Sequence, residues 1–265
     1  MKLNISRDAR PQVGTLLIAA LLSIALWFIP YASFLAYPFR IFVTFIHEGA
    51  HALAALLTGN SVRSLSVAMD TSGLTETYVA QGSRASQMFI SSAGYLGAML
   101  FGALLLVLIR RAVAARVVLI SSAVYILALT LIYGLFVPLT YFSFSPFTIV
   151  SGILISAGLL ASARYLSARA ASFLVSFLAV QCVLNAIFDL KNVLFISVAS
   201  ADSLTDAKNM AGLFGIWPLT SSIFWAIIWI GLSVLILSTA LRFYAVSRNR
   251  AGSQPDLPFE EPLDI

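Results

Sequence analysis

Nothing between Val117 and Ala163 carries a charge. A soluble domain carries about one charged residue in four, so a run of this length has no place on a watery surface. It is long enough for two membrane crossings, since one apolar helix of about 20 residues spans the hydrocarbon core. Pro138 and the Ser-Phe-Ser-Pro stretch at 143–146 mark where it turns. The rest of the chain agrees: it is 60% hydrophobic and 10% charged, with a mean hydropathy of +0.95. In lipid every backbone polar group must be satisfied within the structure, which leaves helices and closed barrels. Apolar runs of helical length point to an all-α polytopic membrane protein.

Read in order, the chain opens with a basic segment at 1–14 (Lys2, Arg7, Arg10). Thr15–Tyr37 is long enough to span, with Pro30 as a kink or break, and no small-x-small site marks it as a cleavable leader. Further spans are expected over Ile41–Leu57, Ala85–Ile109, about 117–137, 147–163, Ala171–Leu190 and about Leu219–Leu241, six to seven in all. Between the second and third, residues 61–80 change character. Ser61–Met69 and Leu74–Val79 alternate around the turn residues Asp70-Thr-Ser-Gly73, which predicts a β-hairpin. The Pro-containing acidic tail, 251–265, is expected to be disordered. We read 1–265 as a single membrane domain in a multi-pass protein of the cell membrane, with the lipid bilayer as its surroundings. Trp217 and Trp225 are expected interface anchors. Cys182 stands alone in an apolar run, so no intrachain disulfide can form. The net charge of +5 lies mostly in short loops and at the ends, and no dense basic patch suggests nucleic acid.

The basic loops at 110–116, 164–169 and 242–250 fall on one side if the later spans each cross once, and the positive-inside rule makes that side cytoplasmic. Seven simple crossings set the basic N-terminus on the opposite side, against the same rule. A re-entrant early segment, or a hairpin that dips into the membrane, is therefore expected.

The chain's only two histidines, His47 and His51, stand four residues apart with Glu48 after the first. On a helix this spacing stacks both imidazoles on one face, where they can hold one Zn²⁺. Glu48 is then placed as general base toward a zinc-bound water. These are the only ionisable residues from Ile41 to Leu57, and ionisable groups inside an apolar span are costly and mark functional sites.

A catalytic zinc usually has three protein ligands. With histidine exhausted, the third must be an oxygen ligand, and the candidates are Asp70, Glu76, Asp189, Asp202 and Asp206. Asp189 is favoured, because an unpaired carboxylate in an apolar helix is expensive and a cation offsets that cost; pairing with Lys191 is the plain alternative. Asp202 and Asp206 lie in a polar loop where solvation explains them, although either could fold back to the metal.

Over roughly residues 41–210 the chain resembles the site-2 protease family of intramembrane zinc metalloproteases, in its compact form without a regulatory domain. His47-Glu-Gly-Ala-His51 matches that family's ligand helix. The hairpin is similar to the short sheet that follows it, and Ser92-Ala-Gly-Tyr-Leu-Gly97 resembles the small-residue motif of the next helix, with Tyr95 where a proline is usual. Asn185–Asp189 resembles the later helix carrying an asparagine and an aspartate ligand, here in a Phe-Asp-Leu context. The resemblance implies His47, His51 and Asp189 on zinc, Glu48 as catalytic base, Asn185 in substrate or oxyanion contact, and membrane-protein substrates cleaved in or near their transmembrane segments. A scaffold, a solute or metal transporter, and a family member without activity are the rival readings.

Overall fold

A computed structural model describes residues 10–29, 33–79, 83–110, 115–199, 205–217 and 219–245. The acidic tail and Pro30 lie outside these residues. Among the described residues the regular structure is helical apart from one two-stranded antiparallel sheet. Helices α1 (Arg10–Phe28) and α2 (Ser33–Leu57) precede strands β1 (Ser61–Val67) and β2 (Gly73–Tyr78). Helices α3 (Arg84–Arg110) and α4 (Ala115–Leu129) follow, and α4 runs on through a π-helical segment, Thr130–Phe136, into α5 (Val137–Leu139). The remainder is α6 (Pro146–Tyr165), α7 (Ala168–Ala199), the short α8 (Asp206–Ala211) and α9 (Ser222–Ala245).

Six of the described helices are long and apolar enough to cross a membrane: Phe34–Leu57, Arg84–Ile109, Ala115–Leu139, Pro146–Tyr165, Ala168–Ile196 and Ser222–Phe243. The chain is thus a multi-pass integral membrane protein. The expected division of the first 57 residues shifts. The ligand helix begins at Ser33 rather than near Ile41 and carries Pro38 inside it. That proline falls early in the helix, where the missing N–H removes little of the ladder. Helix α1 contributes a shorter apolar stretch, Gly14–Leu26. Of the two expected interface anchors, Trp217 is 79% exposed and Trp225 is buried. Its Nε1 donates to the Leu219 carbonyl at 2.8 Å, and its ring stacks on Phe214.

Helix α2 sits at the centre. Its Ile41, Phe42 and Phe45 pack with Val62, Leu65 and Val67 of β1, Ile126 of α4 and Leu178 of α7 in the largest core cluster. Small residues let its neighbours close in: a Cβ at Gly97 of α3 would strike Ala50 of α2, and one at Gly102 would press on the α7 backbone at Ala179. A second cluster joins Tyr95 of α3, Leu190 and Val193 of α7, Met210 of α8, and Trp225 and Trp229 of α9.

The hairpin lies beside α2. Gly59, with φ of 74°, ends the helix, and β1 then runs back along it. A seven-residue strand covers roughly 23 Å, and the turn consequently reaches the first part of α2. There the Tyr37 hydroxyl donates to the Met69 carbonyl at 2.8 Å, and the Thr44 hydroxyl donates to the Thr71 carbonyl at 2.8 Å. The register pairs Ser61 with Tyr78 and Val67 with Gly73, with an irregularity between Val62 and Ser64. Strand β1 is the inner one. Thr148 of α6 holds its end, accepting from the Val67 N–H at 2.8 Å and donating back to its carbonyl at 3.1 Å. Strand β2 is mostly exposed, and its second edge is unpaired among the described residues.

Candidate metal centre

The face of α2 that carries Arg40, Thr44, His47, Glu48 and His51 forms one wall of a cavity of about 670 Å³. Asp189 and Asn185 of α7, Tyr95 of α3, Thr75 of β2 and Asp206 of α8 line it as well. The two imidazoles converge there, with Nε2 to Nε2 at 3.1 Å. The Nδ1–H of His51 donates to the Ile90 carbonyl at 2.7 Å. A carbonyl only accepts, so this bond puts the proton on Nδ1 and leaves Nε2 free as a lone-pair ligand.

The carboxylate that meets the histidine pair is Asp206. Its Oδ2 lies 3.5 Å from His47 Nε2 and 3.3 Å from His51 Nε2. Asp206 opens α8, whose cap is Thr205, the side chain accepting from the Lys208 N–H. Burial alone would push the Asp206 carboxyl up, but the imidazoles of His51 and His47 outweigh it and hold the group below the usual carboxylate range. It therefore stands ionised at neutral pH, as a ligand must.

Asp189, favoured from sequence as the third ligand, is not brought to the pair. It lines the same cavity, within electrostatic reach of His47 and Arg40. Nor does Lys191 take it, since that ammonium lies over the rings of Phe188 and Phe195, at 5.4 and 6.0 Å from their centroids. The physical reason is register. Asp189 follows α7 along the cavity wall, whereas α8 holds Asp206 within 3.5 Å of both Nε2 atoms. Asn185 also lines the cavity, but its amide donates back within α7, to the Gln181 carbonyl at 2.8 Å and to its Oε1 at 3.3 Å. Among the other sequence candidates, Glu76 accepts from Ser64 at 3.1 Å and faces Arg63. Asp70 accepts from the Ser72 hydroxyl and N–H, bonds that lower its carboxyl below the ordinary range. Asp202 lies outside the described residues.

The donor set fits a tetrahedral ion. Ligand atoms at about 2.0–2.1 Å from zinc stand roughly 3.3–3.4 Å apart, and the three separations here run from 3.1 to 3.5 Å. The space between them is kept open by Gly94 of α3, where a Cβ would run into Nε2 of both histidines. Glu48, buried beside the trio, is held by the hairpin. The Thr75 hydroxyl reaches its Oε2 at 2.7 Å and its backbone carbonyl at 3.0 Å. A Cβ at Gly73 would collide with the Glu48 carboxyl. Sequence reasoning missed Thr75 and Gly73, whose partners lie far along the chain. It placed Gly94 only within the small-residue motif of α3.

The core of this multi-pass helical membrane protein brings two histidines and a carboxylate to a spacing that could hold a metal ion. The Peptidase M50B-like family matches over residues 17–240, and the chain belongs to that family. No curated protein and no solved structure matches it.

Proposed function

We propose that this chain is an intramembrane zinc metalloprotease that hydrolyses peptide bonds in or near transmembrane segments of membrane-protein substrates. The observation that carries the reading is the trio His47, His51 and Asp206, with Nε2 and Oδ2 atoms 3.1–3.5 Å apart and Glu48 beside them in one cavity. Family membership supports a metallopeptidase. His47, His51 and Asp206 would hold the zinc. When bound, it supplies a Lewis acid for the scissile carbonyl and lowers the pKa of water to about 7.

The remaining work falls to the chain's own groups. Glu48 takes a proton from the attacking water and passes it to the leaving nitrogen. The Thr75 hydrogen bond fixes one of its oxygens and leaves the other for the water. The free edge of β2 borders the cavity through Gly73, Leu74, Thr75 and Thr77. A substrate helix that unwinds there can add its extended segment to that edge, which replaces the helical hydrogen bonds it has lost.

The test is metal content and cleavage measured together on detergent-purified protein. The wild type is expected to hold about one zinc per chain and to cleave a transmembrane peptide reporter. Glu48→Gln should keep the zinc and lose turnover, and His47→Ala should lose both. A Glu48→Gln protein that still cleaves sinks the assignment of the base. Zinc retained by an inactive wild type would favour a family member that binds partners without cleaving them.

A further inference from the structure

We propose that Tyr95 is a further catalytic residue, whose phenolic hydroxyl donates a hydrogen bond to the scissile carbonyl oxygen as that oxygen takes on negative charge. This rests on the protease reading and deepens it.

Tyr95 follows Gly94, the residue that lies over the two Nε2 atoms. Its ring is held on two sides. It meets the His47 ring edge to face, with centroids 4.8 Å apart and planes at 81°, and lies against Trp229 at 5.4 Å. Trp229 is itself anchored, its Nε1 donating to Ser92 Oγ at 3.1 Å while Ser92 donates to the Met88 carbonyl at 2.9 Å. The phenol is thus placed with little freedom to move.

A buried tyrosine hydroxyl normally finds a partner. Tyr95 is 7% exposed, yet its hydroxyl makes no hydrogen bond among the described residues. It is not sealed in either: the hydroxyls both sealed and unpaired among those residues are Ser156 and Ser233. Tyr95 lines the cavity, so its donor is offered to whatever enters.

What enters needs such a donor. Hydrolysis joins a water oxygen to the carbonyl carbon, breaks the C–N bond, and moves the water's proton to the leaving nitrogen through Glu48. In between, charge builds on the carbonyl oxygen. The phenol lies within electrostatic reach of Asp206, Asp189 and Glu48, and ionised carboxylates only accept. The Nδ2 amide of Asn185, the residue first expected in this role, is turned to the Gln181 carbonyl and Oε1. Tyr95 offers a donor beside His47. No proton is transferred by it; the hydrogen bond strengthens as the oxygen becomes anionic and relaxes when the product acid forms.

The experiment compares wild type with Tyr95→Phe, which keeps the ring and its stacking. Zinc content and thermal unfolding should be unchanged. The kcat for a transmembrane peptide should fall on the order of 10²-fold, the cost typical of one lost oxyanion donor, with KM little altered. Binding of a phosphinic peptide, an anionic tetrahedral mimic, should weaken while binding of the matching uncleaved peptide stays the same. Wild-type kcat and phosphinic affinity in Tyr95→Phe overturn the proposal and leave the protease reading standing. Loss of zinc or of thermal stability assigns the hydroxyl to the fold and overturns it too. A wild type with neither zinc nor cleavage overturns both.

Discussion

Two aspartates compete for one role, and geometry separates them. Asp206 stands at ligand distance from both imidazoles, while Asp189 shares the cavity without joining them. Asp206→Ala is therefore expected to abolish zinc retention and Asp189→Ala to preserve it, read as zinc per chain after dialysis. Zinc lost with Asp189 instead would return the third ligand to α7. Gly94→Ala should behave like Asp206→Ala, since its Cβ fills the space between the two Nε2 atoms. The histidine pair and Glu48 were legible from sequence because their spacing is local and their surroundings apolar. The choice among aspartates was not. Burial cost argues equally for any carboxylate in an apolar setting, and which one arrives depends on where α8 packs against α3 and meets α2, a contact between residues far apart in the chain.

At the level of elements, the hairpin does what a helix could not: it lays an open backbone edge next to Glu48. Its position depends on a few side-chain bonds to α2 and on Thr148, which bonds both backbone groups of Val67. Thr148→Val would leave a buried N–H and carbonyl without that partner, at about 1–3 kcal/mol. A drop in thermal unfolding temperature together with weaker peptide binding is expected; unchanged unfolding would mean that the hairpin is held by apolar contacts alone. The alternation of 61–79 was enough to predict two strands. Their place beside α2 was not readable from the same residues, because it follows from the hydroxyls of Tyr37 and Thr44 on another element. Helix α8 shows the opposite limit: a polar six-residue segment that sequence reads as solvated loop packs Ala207 and Met210 into the core and carries Asp206 with it.

Across the whole molecule, six crossings that start at α2 put its N-terminal end on the same side as the basic loops near 110–116 and 164–169 and the residues after Arg242. This removes the conflict that seven simple crossings create. The loop between α5 and α6 then opens on the other face. Ser167→Cys should react with an impermeant thiol reagent from the cytoplasmic side and Phe142→Cys from the opposite one; labelling of both from one side would refute this arrangement. Cys182 is fully buried and gives no background. The number and rough limits of the later spans were legible because charge and proline punctuate them, whereas the join of α1 to α2 was obscured by Pro30 and Pro38 in one apolar stretch. The route by which Asp206 reaches the histidines also bears on how the protein is made. A ribosome delivers His47 and His51 early and the carboxylate only after four further spans. A half-made chain entering the membrane thus carries an incomplete ligand set and an unassembled cavity. Order of synthesis thus keeps the three candidate ligands apart until most of the chain has been inserted.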